Sequence, residues 1–121
     1  MSDRASFSRL DPDRIRERLV ALGERWADTD AAATLLEETK KSVLARLTLD
    51  HQRGDRVSHA QASTAATAAP LYEEHVRAMV EARRVATRAR VEWEAGKVWA
   101  DMARSANANK RAELALGGLA A

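Results

Sequence analysis

Three histidines, His51, His59 and His75, are the residues of this chain best suited to acid–base or metal chemistry, and their spacing supports neither. No two stand four apart on a helix, and no carboxylate completes an HExxH-type set. His51 and His59 flank a glycine-containing turn and are expected at the surface. His75 falls on an apolar stripe and is expected to pack against a helix end. Glu37-Glu38 and Glu73-Glu74 are sequence neighbours. On a helix they diverge by about 100°, which suits solvated faces better than a paired acid and base. The chain has no glycine-rich phosphate loop and no nucleophile elbow. Cysteine is absent, which removes disulfides and thiolate metal sites and is compatible with a reducing cytoplasm. These residues point to a protein that is not an enzyme, needs no cofactor or metal, and works through its surfaces.

Cations offer a second kind of chemistry. Arg77, Arg84 and Arg88 lie on one line of a helix, and Arg83, Arg90, Lys97 and Arg104 form another in heptad steps. Upstream, Lys40 and Lys41 precede Arg46 and Arg53, the last two a heptad apart. Such rows suit a phosphate backbone, and the three tryptophans suit base stacking. An ordinary solvated face explains them as well. Glu81 lies four residues from Arg77, Glu94 four from Arg90 and Asp101 four from Lys97, so the charge can be taken up in surface pairs. The tryptophans likewise fall at core-compatible positions. Twenty basic against eighteen acidic residues give a net charge of only +2, which permits nucleic-acid binding without demanding it.

The elements that must position these residues are helical. Asp11-Pro12-Asp13 is a helix start, with an Asp cap and Pro at the first helical position. Ile15, Leu19, Leu22 and Trp26 follow in steps of 4, 3 and 4, and the register runs on through Ala33, Leu36, Lys40, Val43 and Leu47. The register's continuity favours one helix to Gln52, but the poor helix formers in Ala27-Asp28-Thr29-Asp30, Asp28 to Asp30, predict a break or bend there, with Thr29 or Asp30 as the cap of a second helix. Gly54 with Asp55 is the expected stop. Ser58 and Gln61 have capping-box spacing and open a short alanine-rich helix that must end before Pro70. Pro70 begins the longest helix, and Gly117-Gly118 is its expected end.

That longest helix carries two apolar stripes. Tyr72, His75, Met79, Ala82, Ala86, Ala89, Trp93, Gly96 and Ala100 step by 3 and 4; Val76, Val80, Thr87, Val91, Val98 and Met102 form a second row, about 140° away around the helix. The small residues of the first stripe let a neighbouring helix approach closely, with Leu36, Val43 and Leu47 as partners across an antiparallel hairpin. The second stripe is either free for another subunit, with Val76, Val80, Val91, Val98 and Met102 as the oligomer interface, or covered by the short helix and the N-terminal helix. Apolar residues are 45% of the chain but aromatics only 4%, so elongated or self-associating helices are expected over a deep globular core. No run approaches the roughly 18 apolar residues of a membrane span, and residues 1–13 lack the apolar centre of a leader. The expectation is an all-α, elongated helical hairpin of two long helices with a short helix between them, assembling as a homo-oligomer. Residues 1–10 form a loose arm, helices lie at about 12–27, 30–52, 58–69 and 70–114 within one domain over 11–116, and 117–121 form a flexible end.

The run Lys40-Lys41-Ser42-Val43-Leu44-Ala45-Arg46-Leu47, followed by a turn at Gly54-Asp55, a polar helix and a long helix with a tryptophan near its middle, resembles the phage recombination mediator UvsY over about residues 35–110. The resemblance implies a helical homo-oligomer that binds single-stranded DNA, contacts a RecA-like recombinase and the single-strand-binding protein, and acts in the cytoplasm of a bacterial host without catalysing a reaction. Arg46 matches the arginine of the family's basic pair, whereas Leu44 stands where its lysine is expected. Lys40 and Lys41 correspond to the upstream lysines. Lys40, Lys41, Arg46 and Arg53 are therefore the expected phosphate contacts. The alternative is a helical structural or adaptor protein, such as a virion component or a phage inhibitor of a host protein, acting through protein contacts only.

Overall fold

The computed structural model describes residues 11–53 and 57–120 and consists there of three helices: α1 (Pro12–Gln52), α2 (His59–Thr67) and α3 (Pro70–Ala120). The expected loose arm over 1–10 and the stop at Gly54-Asp55 lie outside the described residues. Asp11 opens α1 as expected: its side chain accepts from the Arg14 amide at 2.8 Å and its carbonyl from the Ile15 amide. Ser58 caps α2 in a full capping box with Gln61. Ala68 and Ala69 form the turn that leads into Pro70, and the Ala69 carbonyl accepts from the amides of Tyr72 and Glu73.

Two expectations about the elements are corrected. No break occurs at 27–30; α1 is continuous from Pro12 to Gln52. Asp30 does not turn back to cap a new helix. Its carboxylate accepts a hydrogen bond from Arg83 of α3 at 2.7 Å instead, and the three alanines that follow, Ala31 to Ala33, are strong helix formers. Nor does α3 end near residue 114: it passes through Gly117 and Gly118 to Ala120.

The chain divides into two compact units, one of Met1–Trp26 with Ala89–Ala121 and one of Ala27–Arg88. In the first, the terminal unit, the start of α1 packs antiparallel on the later part of α3. Ile15 is buried with Ala100 and Ala103, and Leu19 and Trp99 close over them. Further along, small residues on each helix stand opposite large ones on the other. A methyl group added at Gly96 would lie 2.6 Å from Leu22 Cδ1, and one at Gly23 would lie 3.2 Å from Trp93 Nε1. The Trp26 and Trp93 rings then meet at 5.1 Å, tilted by 38°.

In the central unit α1 and α3 are again antiparallel, with Ala33 and Ala86 buried. His75 does not meet a helix end. Its Nε2 donates to the Leu36 carbonyl in the middle of α1, at 2.8 Å, which fixes the proton on that nitrogen. Thr48, buried at 5% exposure, gives its hydroxyl to the Leu44 carbonyl one turn back, so no polar group is stranded. Ala62 and Ala66 bury the inner side of α2. The first stripe of α3 is the packed one: Tyr72, His75, Met79, Ala82 and Trp93 are half-buried and Ala86, Ala89, Gly96 and Ala100 buried.

Among the described glycines Gly96 has the least room for a side chain. Gly96→Leu is expected to lower stability by about 1–3 kcal/mol through overpacking against Leu19 and Leu22, measured by urea denaturation followed by far-UV circular dichroism.

Candidate interaction surface

The cations of α3 are largely engaged. Arg77 pairs with Glu73 at 2.6 Å, Arg84 with Glu81 at 2.9 Å, Arg104 with Asp101 at 3.4 Å and Arg90 more loosely with Glu94 at 4.0 Å. Two of these differ from the expected partners: Arg77 turns to Glu73 rather than Glu81, and Asp101 pairs with Arg104. Lys97 places its ammonium 3.9 Å from the centre of the Trp93 ring, a cation–π contact. Arg18 sits over Trp99 at 4.8 Å, and Arg25 reaches Glu92 at 3.1 Å. The three tryptophans are thus half-buried, packed on each other or beneath cations, and none is an open stacking platform.

Arg83 is the most heavily used side chain of the central unit. Its guanidinium forms a fork on Glu37 and also donates to Asp30 and Thr34, the planar bidentate geometry that lysine cannot make. The hydrogen bond from Arg83 holds the Glu37 carboxyl below its ordinary value of 4.5, and the pairing raises the Arg83 pKa further. The Glu81 carboxyl is lowered in the same way by Arg84.

The expected phosphate contacts do not converge. Lys40 is half-buried, in the packed register of α1. Lys41 edges a shallow groove that Leu44, Thr48 and Leu49 of α1 form with His59 and Ser63 of α2. Arg46 and Arg53 are exposed and share one line, with Arg53 4.0 Å from Asp50. About 140° of helix separates Lys41 from Arg46. Among the described residues Lys40, Lys41 and Arg46 have no ion-pair partner, and no cluster of His, Asp or Glu is placed to hold a metal. His51 and His59 are exposed.

The second stripe of α3 is open. Val76, in the central unit, is half-buried, but Val80 there is 60% exposed. In the terminal unit Val91, Val98 and Met102 are 55%, 60% and 59% exposed. Val80, Val91 and Val98 are therefore not core residues, and the alternative that buries them does not hold. Helical periodicity had flagged this row. Gly23 carried no such signal, because its role depends on the Trp93 ring opposite.

Compared with protein-family models, with curated proteins and with solved structures, the chain matches none. Among the described residues no helix is long and apolar enough to cross a membrane.

The Arg83–Glu37 pair generates a pH dependence with a definite sign. A carboxyl whose folded pKa is depressed stabilises the fold fully above its ordinary value and loses that contribution as pH falls through the folded pKa. The thermal midpoint of the protein should therefore exceed that of Glu37→Gln at pH 7. The gap should close as pH falls from 4.5 through the depressed pKa. Thermal melts of both proteins across this range read it directly.

Proposed function

We propose that this protein is a non-enzymatic helical interaction protein, a scaffold or adaptor, whose working surface is the outer face of α3 in the terminal unit. One observation carries the reading: Val91, Val98 and Met102 form a helical row with more than half of each side chain in solvent, while the opposite face of the same helix is packed. Contiguous apolar exposure of this kind marks a surface that meets another molecule, and a flat helical row fits another helix. The cations of α3 lend little to a polyanion, since most are already paired with carboxylates.

A second reading rests on a separate observation, the exposed Arg46 near the end of α1 with Arg53 just beyond it and Lys41 on another face. It is the recombination mediator that the UvsY resemblance implies, with single-stranded DNA, a RecA-like recombinase and the single-strand-binding protein as partners in a bacterial cytoplasm. Lys40, Lys41, Arg46 and Arg53 would make its phosphate contacts, with multivalency across an oligomer supplying affinity.

Fluorescence anisotropy with a labelled single-stranded oligonucleotide separates the two. The interaction reading expects at most weak binding at low salt, unchanged in Arg46→Glu. Tight binding that falls steeply with salt and drops about tenfold or more in Arg46→Glu, each tenfold being about 1.4 kcal/mol, would replace it with the mediator.

A further inference from the structure

We propose that the groove between α1 and α2 in the central unit binds an amphipathic carboxylate, a medium-chain fatty acid whose head meets Lys41 and whose tail lies along Leu44, Ala45 and Leu49. This goes beyond the interaction reading of α3 and does not depend on it.

The groove encloses about 420 Å³, a size in the range of small-molecule sites. All of its lining residues belong to one unit. Its α1 wall is apolar where Leu44, Ala45 and Leu49 face it, and Leu49 is 58% exposed. Thr48 adds no free polar group there, because its hydroxyl is donated to the Leu44 carbonyl at 2.8 Å. From Lys41 to Leu49 the wall runs for about 12 Å of helix, a length that suits a medium-chain tail.

Charge selects the occupant. Among the described residues no carboxylate lines this groove, and Lys41 has no ion-pair partner. His59 is exposed, and Gln52 and Ser63 are neutral. The groove along α1 in the terminal unit is different, since Arg16 stands there among Asp13, Glu17 and Glu24. An unmatched ammonium beside an apolar wall is complementary to a ligand with one negative charge and a hydrocarbon body. A phosphate backbone fits it poorly: the leucines offer no donor, and one lysine neutralises only about one phosphate. The same ligand would supply apolar contact that α2 lacks. This helix has nine residues, and Ala62 and Ala66 are its buried ones. A helix so short is marginal without packing. A tail held between Leu49 and the His59–Ser63 side of α2 therefore couples binding to the order of that helix.

Sodium decanoate, kept below its micellar concentration and titrated into the full-length protein by isothermal calorimetry, is expected to bind saturably at one site per chain. Octanoate, two methylenes shorter, should bind about tenfold more weakly. Decyltrimethylammonium, with a cationic head, should not bind the groove. Lys41→Met keeps most of the side-chain stem and should weaken decanoate binding about three- to fivefold. Leu49→Glu should abolish it with helix content unchanged by circular dichroism, because Leu49 is exposed. Hydrogen exchange with decanoate present should slow at the amides of residues 41–52 and 59–67. Absence of saturable binding, or equal binding of decanoate by Lys41→Met, would overturn the proposal. So would protection that appears over residues 91–102 of α3 in place of α2. None of these results bears on the oligonucleotide measurement, which decides the interaction reading separately.

Discussion

Close approach of two helices across a seam of alanine and glycine is the constraint on which this fold depends. A buried alanine contributes about 0.8 kcal/mol for its single methyl, against about 1.5–3 kcal/mol for a leucine. A core of Ile15, Ala100 and Ala103 in one unit, with Ala33 and Ala86 buried in the other, therefore has little apolar area to draw on. Closeness offsets it. With the backbones near one another, each Leu or Trp that does enter the seam is surrounded: Leu22 lies over Gly96 and Trp93 over Gly23. Dispersion falls off steeply with separation, so these contacts hold only while the glycines stay small.

The same shortage of bulk explains how the charged residues are used. Arg83 lies between α3 and α1 in the central unit. It stays about one-third exposed and joins three side chains of α1. An exposed ion pair adds little stability by itself, but a fork on Glu37 with further bonds to Thr34 and Asp30 ties Arg83 to two successive turns on one face of α1. In the terminal unit the cation–π contacts of Lys97 and Arg18 cover tryptophan faces that the thin core leaves half in water. Arg83, matched by two carboxylates, contributes little to a positive surface field, whereas Lys97 and Arg18 over neutral rings keep their charge.

Periodicity made the packed register of both long helices legible, residue by residue, from Ile15 to Leu47 and from Tyr72 to Ala100. The capping residues Asp11 and Ser58 were equally readable, because caps are local chemistry. What escaped was non-local. Thr29 and Asp30 look like a helix start until Arg83, 53 residues away, is placed opposite. The Gly117-Gly118 pair looks like a stop, yet α3 passes through it. His75 looks set to pack against a helix end, yet its ring donates to a main-chain carbonyl 39 residues distant. The basic residues of α1 share a stretch of sequence but not a face, so proximity in the chain overstated their proximity in space.

Helix α3 carries two apolar stripes, and only one of them is packed within the chain. Where Gly96, Ala100 and Ala103 face α1, apolar character and burial coincide. Where Val98 and Met102 face outward they do not, although both faces belong to the same few turns. A sequence selected only to close the hairpin gains nothing from valine and methionine in solvent, where lysine or glutamate would aid solubility and match helix propensity better. Keeping them there, in step with alanines and a distant Leu116, is physically reasonable if the face is dry in the working state.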